Sequence, residues 1–287
     1  MRTIDLDSLE IFRTVVAEGG VIRAADKLHR VQSNITTRIQ QLEERLGQKL
    51  FHRQGRSLAL APAGHKLLPY AERLLRLADE AESELRSELP LGSFRLGSLE
   101  STAGSRLAPV LSRFHRLYPG VVVELATGTT GALVKRVKAF ELEAAFVSEP
   151  YSAAGLESMA VFDEELVLIT ARSMATVDRP GDLAEATLIA FAQGCSYRRL
   201  LEQWLGKGGV SASRSLEFSS YQAMIACVAA GTGFAIVPVS VLKALRATAD
   251  VRQHALPESI RRNRTHLVWQ GTPSVALARL VEMLQKP

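Results

Sequence analysis

Cysteine is scarce in this chain: Cys195 and Cys227 are the two among 287 residues. That excludes a disulfide framework and a thiolate zinc centre. Both read as small apolar side chains of a reduced interior. The histidines (His29, His52, His65, His115, His254 and His266) lack metal-ligand spacing, so neither a metal nor another cofactor is expected. No apolar run nears the ~18 residues a membrane span needs. The stretch Met1–Asp7 holds no apolar core of a secretory signal. The expected location is the cytoplasm, away from membranes. G-x-S-x-G, H-E-x-x-H and P-loop motifs are missing. Gly231-Thr232-Gly233 looks superficially like a dinucleotide loop, but it lacks the third glycine and precedes a strand, the wrong order. The expectation is a protein that is not an enzyme.

Charge of one sign is not abundant either. Lys plus Arg number 35 against 30 Asp plus Glu, a net of +5. This permits a nucleic-acid partner without establishing one. The distribution says more than the total. Residues 1–60 carry ten basic and seven acidic residues, a net of +3; residues 61–90 carry four and six, a net of −2. With 47% apolar and 23% charged residues, the chain is soluble and globular, and long enough for more than one compact unit.

Residues 1–60 read as short helices followed by a hairpin. Asp7 or Ser8 can cap the first helix, whose apolar face is Leu9, Phe12, Val15 and Val16. A second runs from Val21 to Leu28. A third runs from Gln32 to Leu46, with Ile35, Ile39, Leu42 and Leu46 on one side. Leu50-Phe51 and Leu58-Ala59-Leu60 are extended, with a turn at Gln54-Gly55-Arg56. Pro62 opens a long amphipathic helix reaching about Leu89, whose stripe calls for a partner helix; packing on its own domain is the alternative. After the break at Pro90-Leu91-Gly92, strands alternate with helices, which predicts an α/β domain with largely parallel sheets.

The segment Ala24-Ala25 through Ile39 has the form of a helix-turn-helix: a small-residue helix, a short turn, and a helix with polar residues at its start. Such a second helix enters the major groove, where its first side chains meet base edges. Gln32 and Asn34 can donate and accept in pairs. Ser33, Thr36 and Thr37 can touch bases or phosphates, and Arg38 reaches phosphate or guanine. Positions 32, 33, 36, 37 and 40 share a face opposite Ile35, Ile39 and Leu42, which adds Gln40, and Arg23 stands on the preceding helix. Arg53 and Arg56 flank a turn like a wing tip, near phosphates or the minor groove, or they belong to a solvated basic turn.

Leu9-Glu10-Ile11-Phe12 through Leu46-Gly47-Gln48-Lys49-Leu50-Phe51-His52-Arg53, with Ala61-Pro62-Ala63-Gly64, closely resembles the head of LysR-type transcriptional regulators. In that family A-A-x-x-L-x-x-x-Q-S forms the reading helix, followed by L-E-x-x-L-G-x-x-L-F-x-R and T-x-A-G. Three positions depart from the pattern. Val31 stands where a capping Ser is common, Ala61 replaces the Thr before x-A-G, and Thr37 stands where many members have Arg. The resemblance implies an all-α winged helix-turn-helix (1–60), a linker dimerisation helix (61–89) and a two-lobed α/β effector domain (90–287) like a periplasmic binding protein. Lobe I would be 91–161 with 265–287, lobe II 162–264, and the crossing segments would lie near Ala160-Val161-Phe162 and Thr265-His266-Leu267. It also implies promoter DNA, a small-molecule effector, a homodimer through the linker, a homotetramer, and RNA polymerase when activating.

Physics suggests where the effector sits. Four turns between strand and helix bring free N–H groups and hydroxyls together, which favours an anion such as a carboxylate. They are Glu100-Ser101-Thr102; Thr127-Gly128-Thr129-Thr130-Gly131; Gln193-Gly194-Cys195-Ser196-Tyr197-Arg198; and Ser219-Ser220, with Ser148 at the end of a buried strand. Taken singly, each also reads as a helix cap. Cys195 near a helix start is alternatively a redox thiol. A solute-binding protein would share the back half, but the DNA-reading head and the missing signal oppose that reading.

Overall fold

The computed structural model describes residues 4–54, 57–86, 90–211 and 214–285. The chain divides into two compact units, 1–89 and 90–287, described separately.

In the first unit α1 (Leu6–Ala17), α2 (Val21–Lys27) and α3 (Gln32–Leu46) surround a small core, followed by the hairpin β1 (Phe51–Gln54) and β2 (Ser57–Leu60) and by α4 (Pro62–Arg86). The core joins Leu9, Phe12, Ala24, Ile35, Leu42 and Leu50 to Ala71 and Leu75 of α4. The cap of α1 differs from expectation. It is Asp5, not Asp7 or Ser8: its extended backbone precedes the helix and its carboxylate accepts the Ser8 N–H at 2.8 Å. The Arg45 guanidinium holds the other carboxylate oxygen at 2.8 Å. Gly47 ends α3 with φ +62°, where glycine avoids the Cβ penalty. Gly64 answers a different need: a Cβ there would run into the Leu50 carbonyl oxygen, so α4 could not lie against the start of the hairpin. On α4, Ala71 and Leu75 are buried while Tyr70, Leu74 and Leu77 stay exposed. The apolar stripe is thus divided between the unit's own core and an open side.

The second unit is a mixed α/β structure with two lobes. Its elements begin with β3 (Gly92–Ser98), α5 (Glu100–Thr102), a π-turn at Ala103–Leu107, α6 (Ala108–Leu117), β4 (Val121–Thr127), α7 (Thr130–Lys138) and β5 (Ala144–Ser148). They continue with β6 (Glu157–Ala171), β7 (Leu188–Phe191), α8 (Ser196–Lys207), β8 (Ser215–Phe218), α9 (Tyr221–Ala229), β9 (Ala235–Pro238) and α10 (Val239–Ala244). Last come β10 (Val251–His254), α11 (Glu258–Arg261), β11 (Arg262–Trp269) and α12 (Val275–Gln285). The main sheet runs β10-β6-β11-β5-β3-β4, with β9 also on β6. β5 is buried along its whole length, as a strand covered on both faces must be. Separate cores fill the lobes, one around Phe94, Phe114 and Phe146, another around Leu166, Leu201 and Phe234.

The expectation of largely parallel sheets needs correction. β3 pairs in parallel with β4 and β5, and β7 with β8, but β6 runs antiparallel to β9, β10 and β11, and β11 antiparallel to β5. The reason is β6. It is fifteen residues long and serves both lobes, its first half on β11 and its second on β9 and β10. β6 and β11 pair where Thr265 faces Phe162 and His266 faces Ala160, with a register shift between the two pairs.

Candidate functional site

α3 starts without a side-chain cap, since Val31 offers none. Its backbone compensates locally: the Asn34 N–H donates to the Val31 carbonyl at 3.0 Å. Ile35, Ile39 and Leu42 are buried, whereas Gln32, Ser33, Asn34, Thr37, Arg38 and Gln40 are exposed and Thr36 is half-buried. The Thr36 hydroxyl donates to the Gln32 carbonyl at 3.0 Å, which leaves its methyl as the free recognition group. Arg38 stands 3.7 Å from Asp7, and Arg30 holds that carboxylate more closely at 2.6 Å. The Arg30 guanidinium keeps the Asp7 carboxyl below the ordinary carboxylate range. Arg23 is exposed, and its Nε donates to the Glu18 carbonyl. Arg53 stands on β1 opposite Leu58; Arg56 lies outside the described residues. The surface is therefore a row of hydrogen-bonding side chains on a helix whose back is anchored, a shape suited to a groove.

Sequence reasoning named Glu43 only as a motif letter. The structure makes it a brace: the carboxylate is buried and takes N–H bonds from Leu50 at 2.8 Å and Phe51 at 3.2 Å, with Lys49 Nζ at 2.7 Å. It thereby fixes the start of β1 against α3.

In the second unit a pocket opens where α7, α8 and α9 begin. Of the residues singled out from sequence, Glu100, Ser101, Gly128, Thr129 and Thr130 line it from one lobe, with Ser148 beneath. Cys195, Ser196 and Tyr197 line it from the other lobe. Thr102 is buried outside the lining; Gln193 and Ser219 are exposed, and Ser220 is half-buried as the N-cap of α9. Leu99, Phe191 and Tyr221 complete the walls. They escaped sequence reading because it sought polar turns, and apolar walls carry no motif. The pocket is open to solvent on one side, and its inner part is narrow, about 20 Å³.

The lobes touch across this pocket. The Gly131 N–H donates to the Gly194 carbonyl at 3.0 Å. The Ser196 hydroxyl reaches the Ser148 carbonyl at 2.9 Å, and the Ser148 hydroxyl donates to Asn263 Oδ1 on β11 at 2.6 Å. Glu100 is half-buried and lies near the Tyr221 N–H at the start of α9, whose downward pull is outweighed by burial, so its carboxyl stands above the ordinary range. Tyr197 is 3% exposed, and its hydroxyl has no hydrogen-bond partner; Ser148 and Ser101 lie near it without bonding geometry. Burial likewise pushes the Cys195 thiol up, the opposite of the lowering that a redox thiol needs. Behind the pocket Arg198 is buried, bonding the Phe191 carbonyl at 3.0 Å, Glu217 at 2.7 Å and Glu202 at 2.8 Å.

Residues 6–65 match the family model "Bacterial regulatory helix-turn-helix protein, lysR family", and residues 87–286 match "LysR substrate binding domain". The chain belongs to the LysR family of transcriptional regulators. The regulator YofA of Bacillus velezensis is 38% identical over 264 residues, covering 92% of this chain and 91% of that protein. GltR of Bacillus subtilis is 36% identical over 256 residues, covering 89% and 86%. Among solved folds, full-length OxyR from Pseudomonas aeruginosa superposes with a TM-score of 0.74 at 19% identity, covering 99% of this chain and 94% of the other. Full-length CbnR in complex with its target DNA superposes at 0.69 and 24% identity, covering 99% of each chain. This LysR-type regulator thus combines a DNA-binding helix-turn-helix with an effector-binding α/β domain. No helix among its described residues is long and apolar enough to cross a membrane.

Proposed function

We propose that this regulator reads promoter DNA through Gln32, Ser33, Asn34, Thr36, Thr37, Arg38 and Gln40 in the major groove. Arg23, Arg53 and Arg56 hold the backbone or minor groove. Residues 1–60 act as the reading head, and 61–89 pair two chains through the exposed side of α4. Residues 90–287 sense the effector. The exposed polar row on α3 above a buried Ile35–Ile39–Leu42 face carries this reading. Paired heads would engage the half-sites of a pseudo-palindrome. Dimers associate further into tetramers, which bend the promoter. The protein works in the cytoplasm, with RNA polymerase as partner when it activates.

The effector is a small polar molecule held at the pocket between the lobes. Its binding alters the lobe contacts and so the spacing of the heads, a coupling of typically ~1–3 kcal/mol. The carboxylate expected from the turns fits less well, since the Glu100 carboxylate already lines the same pocket. Gel shifts at fixed salt test the first half: a chain without residues 1–60 should lose the shift, and a retained shift would contradict the assignment. The second half is tested by Ser101→Ala, which should leave DNA binding intact and blunt the effector response.

A further inference from the structure

The pocket between the lobes has an unexpected charge. Three helices begin there, and such ends favour anions. Yet the one ionic side chain in its described lining is Glu100, with no Lys, Arg or His beside it. Two of the donors at the start of α7 are also taken. The Ala132 N–H goes to Thr129 Oγ1 at 3.4 Å and the Gly131 N–H to the Gly194 carbonyl. An anion would have to lie beside the Glu100 carboxylate. The other walls suit positive charge. The rings of Phe191 and Tyr221 lie 4.7 Å apart and tilted by 52°, and ring faces attract cations. Hydroxyls of Ser101, Thr129 and Thr130 can accept from an ammonium. Tyr197 adds an independent sign of a missing partner: a buried hydroxyl in the lining with no hydrogen bond, which native interiors rarely leave.

We propose that the ligand of this pocket carries a small protonated amine, seated against the Glu100 carboxylate and the Phe191–Tyr221 rings, with a polar atom of the ligand on the Tyr197 hydroxyl. This rests on the reading of the pocket as the effector site. Burial holds the Glu100 carboxyl up, and an arriving cation restores its charged form, so binding releases protons when buffered near the carboxyl's own titration.

Calorimetric titration of the full chain at neutral pH with methylammonium, glycine and acetate, each at millimolar concentration, tests the proposal. Methylammonium and glycine should bind and acetate should not. Glu100→Gln keeps the size and shape of the side chain and should melt like the parent, yet bind glycine about ten- to a hundredfold more weakly. Where that variant melts early, Glu100→Asp retracts the charge and should show the same loss. Acetate binding as tightly as glycine, or neither amine binding, overturns the proposal. Glycine binding that survives Glu100→Gln but is lost in Tyr197→Phe overturns the amine and keeps the pocket as effector site. Binding indifferent to both variants removes the pocket reading as well.

Discussion

The Glu43 carboxylate accepts the Leu50 backbone N–H at 2.8 Å, across seven residues and out of solvent. The same group takes Phe51 N–H and Lys49 Nζ, so one side chain fastens the reading helix to the hairpin. Glu43→Ala should strand two backbone donors. A buried donor left unsatisfied costs about 1–3 kcal/mol, so the head should melt earlier by that amount while the second unit keeps its own transition. Glu43→Gln retains one acceptor oxygen and should lose less. Equal melting of parent and Glu43→Ala by calorimetry would remove the brace.

The reading face gives a sharper prediction. Gln32 and Thr37 are exposed on α3, and removing a side chain that bonds a base edge typically costs ~1–3 kcal/mol. Gln32→Ala should therefore lower the ratio of specific to non-specific binding at one salt concentration and leave non-specific binding in place. Thr36→Val should matter little, because the Thr36 hydroxyl already serves the Gln32 carbonyl and valine keeps the methyl. A Thr36→Val loss as large as that of Gln32→Ala would mean that the hydroxyl leaves the helix to meet DNA.

How legible these features were depends on the length scale of their cause. The span of α3 and the start of α4 followed from local periodicity and Pro62, and they lie where the pattern put them. The first half of β6 was marked only as the crossing segment Ala160-Val161-Phe162, and its extent from Glu157 and its continuation into the second lobe come from its pairing with β11, β9 and β10. β7 and β10 are four residues each, too short to carry a pattern. Asp5 was passed over as the α1 cap for a neighbour two residues on, an error within the ordinary slack of helix ends. At the pocket the polar turns were readable one by one. The contacts between them, such as Ser148 with Asn263 across 115 positions, come from tertiary folding and leave no local mark.

Gly194 stands at φ +95°, and a Cβ there would approach Thr129 Oγ1 to 3.1 Å. Its carbonyl is also the acceptor for Gly131 across the lobes. An alanine in left-handed territory costs about 1–2 kcal/mol, and here it pushes directly on the cross-pocket contact. Gly194→Ala should speed hydrogen exchange at the Gly131 amide and slightly lower the melting temperature of the second unit. Unchanged exchange at Gly131 would show that the two loops are held together by something other than this bond.

His254 supplies a pH dependence whose direction is fixed by its neighbours. The ring is buried; Nδ1 accepts the Val177 N–H at 3.1 Å, and Nε2 lies 2.8 Å from the Thr170 hydroxyl, which itself donates to the Ala171 carbonyl at 3.2 Å. That arrangement needs a neutral ring with its proton on Nε2. Desolvation, and then the nearby Arg252, hold the folded value below the ordinary 6.5, against a smaller upward pull from Asp178. The unfolded ring therefore takes up a proton near 6.5, before the folded one does, and protons favour unfolding across that interval. The stabilisation is complete above 6.5, fades as the pH drops, and is gone once the pH passes below the folded value. His254→Leu removes both ring bonds and should cost about 1–3 kcal/mol at neutral pH. The same variant should lose part of the parent's decline in melting temperature between neutral and mildly acidic buffer. Parallel melting curves for parent and variant across that range would mean the ring titrates alike in the folded and unfolded chain, contrary to the downward shift that burial imposes.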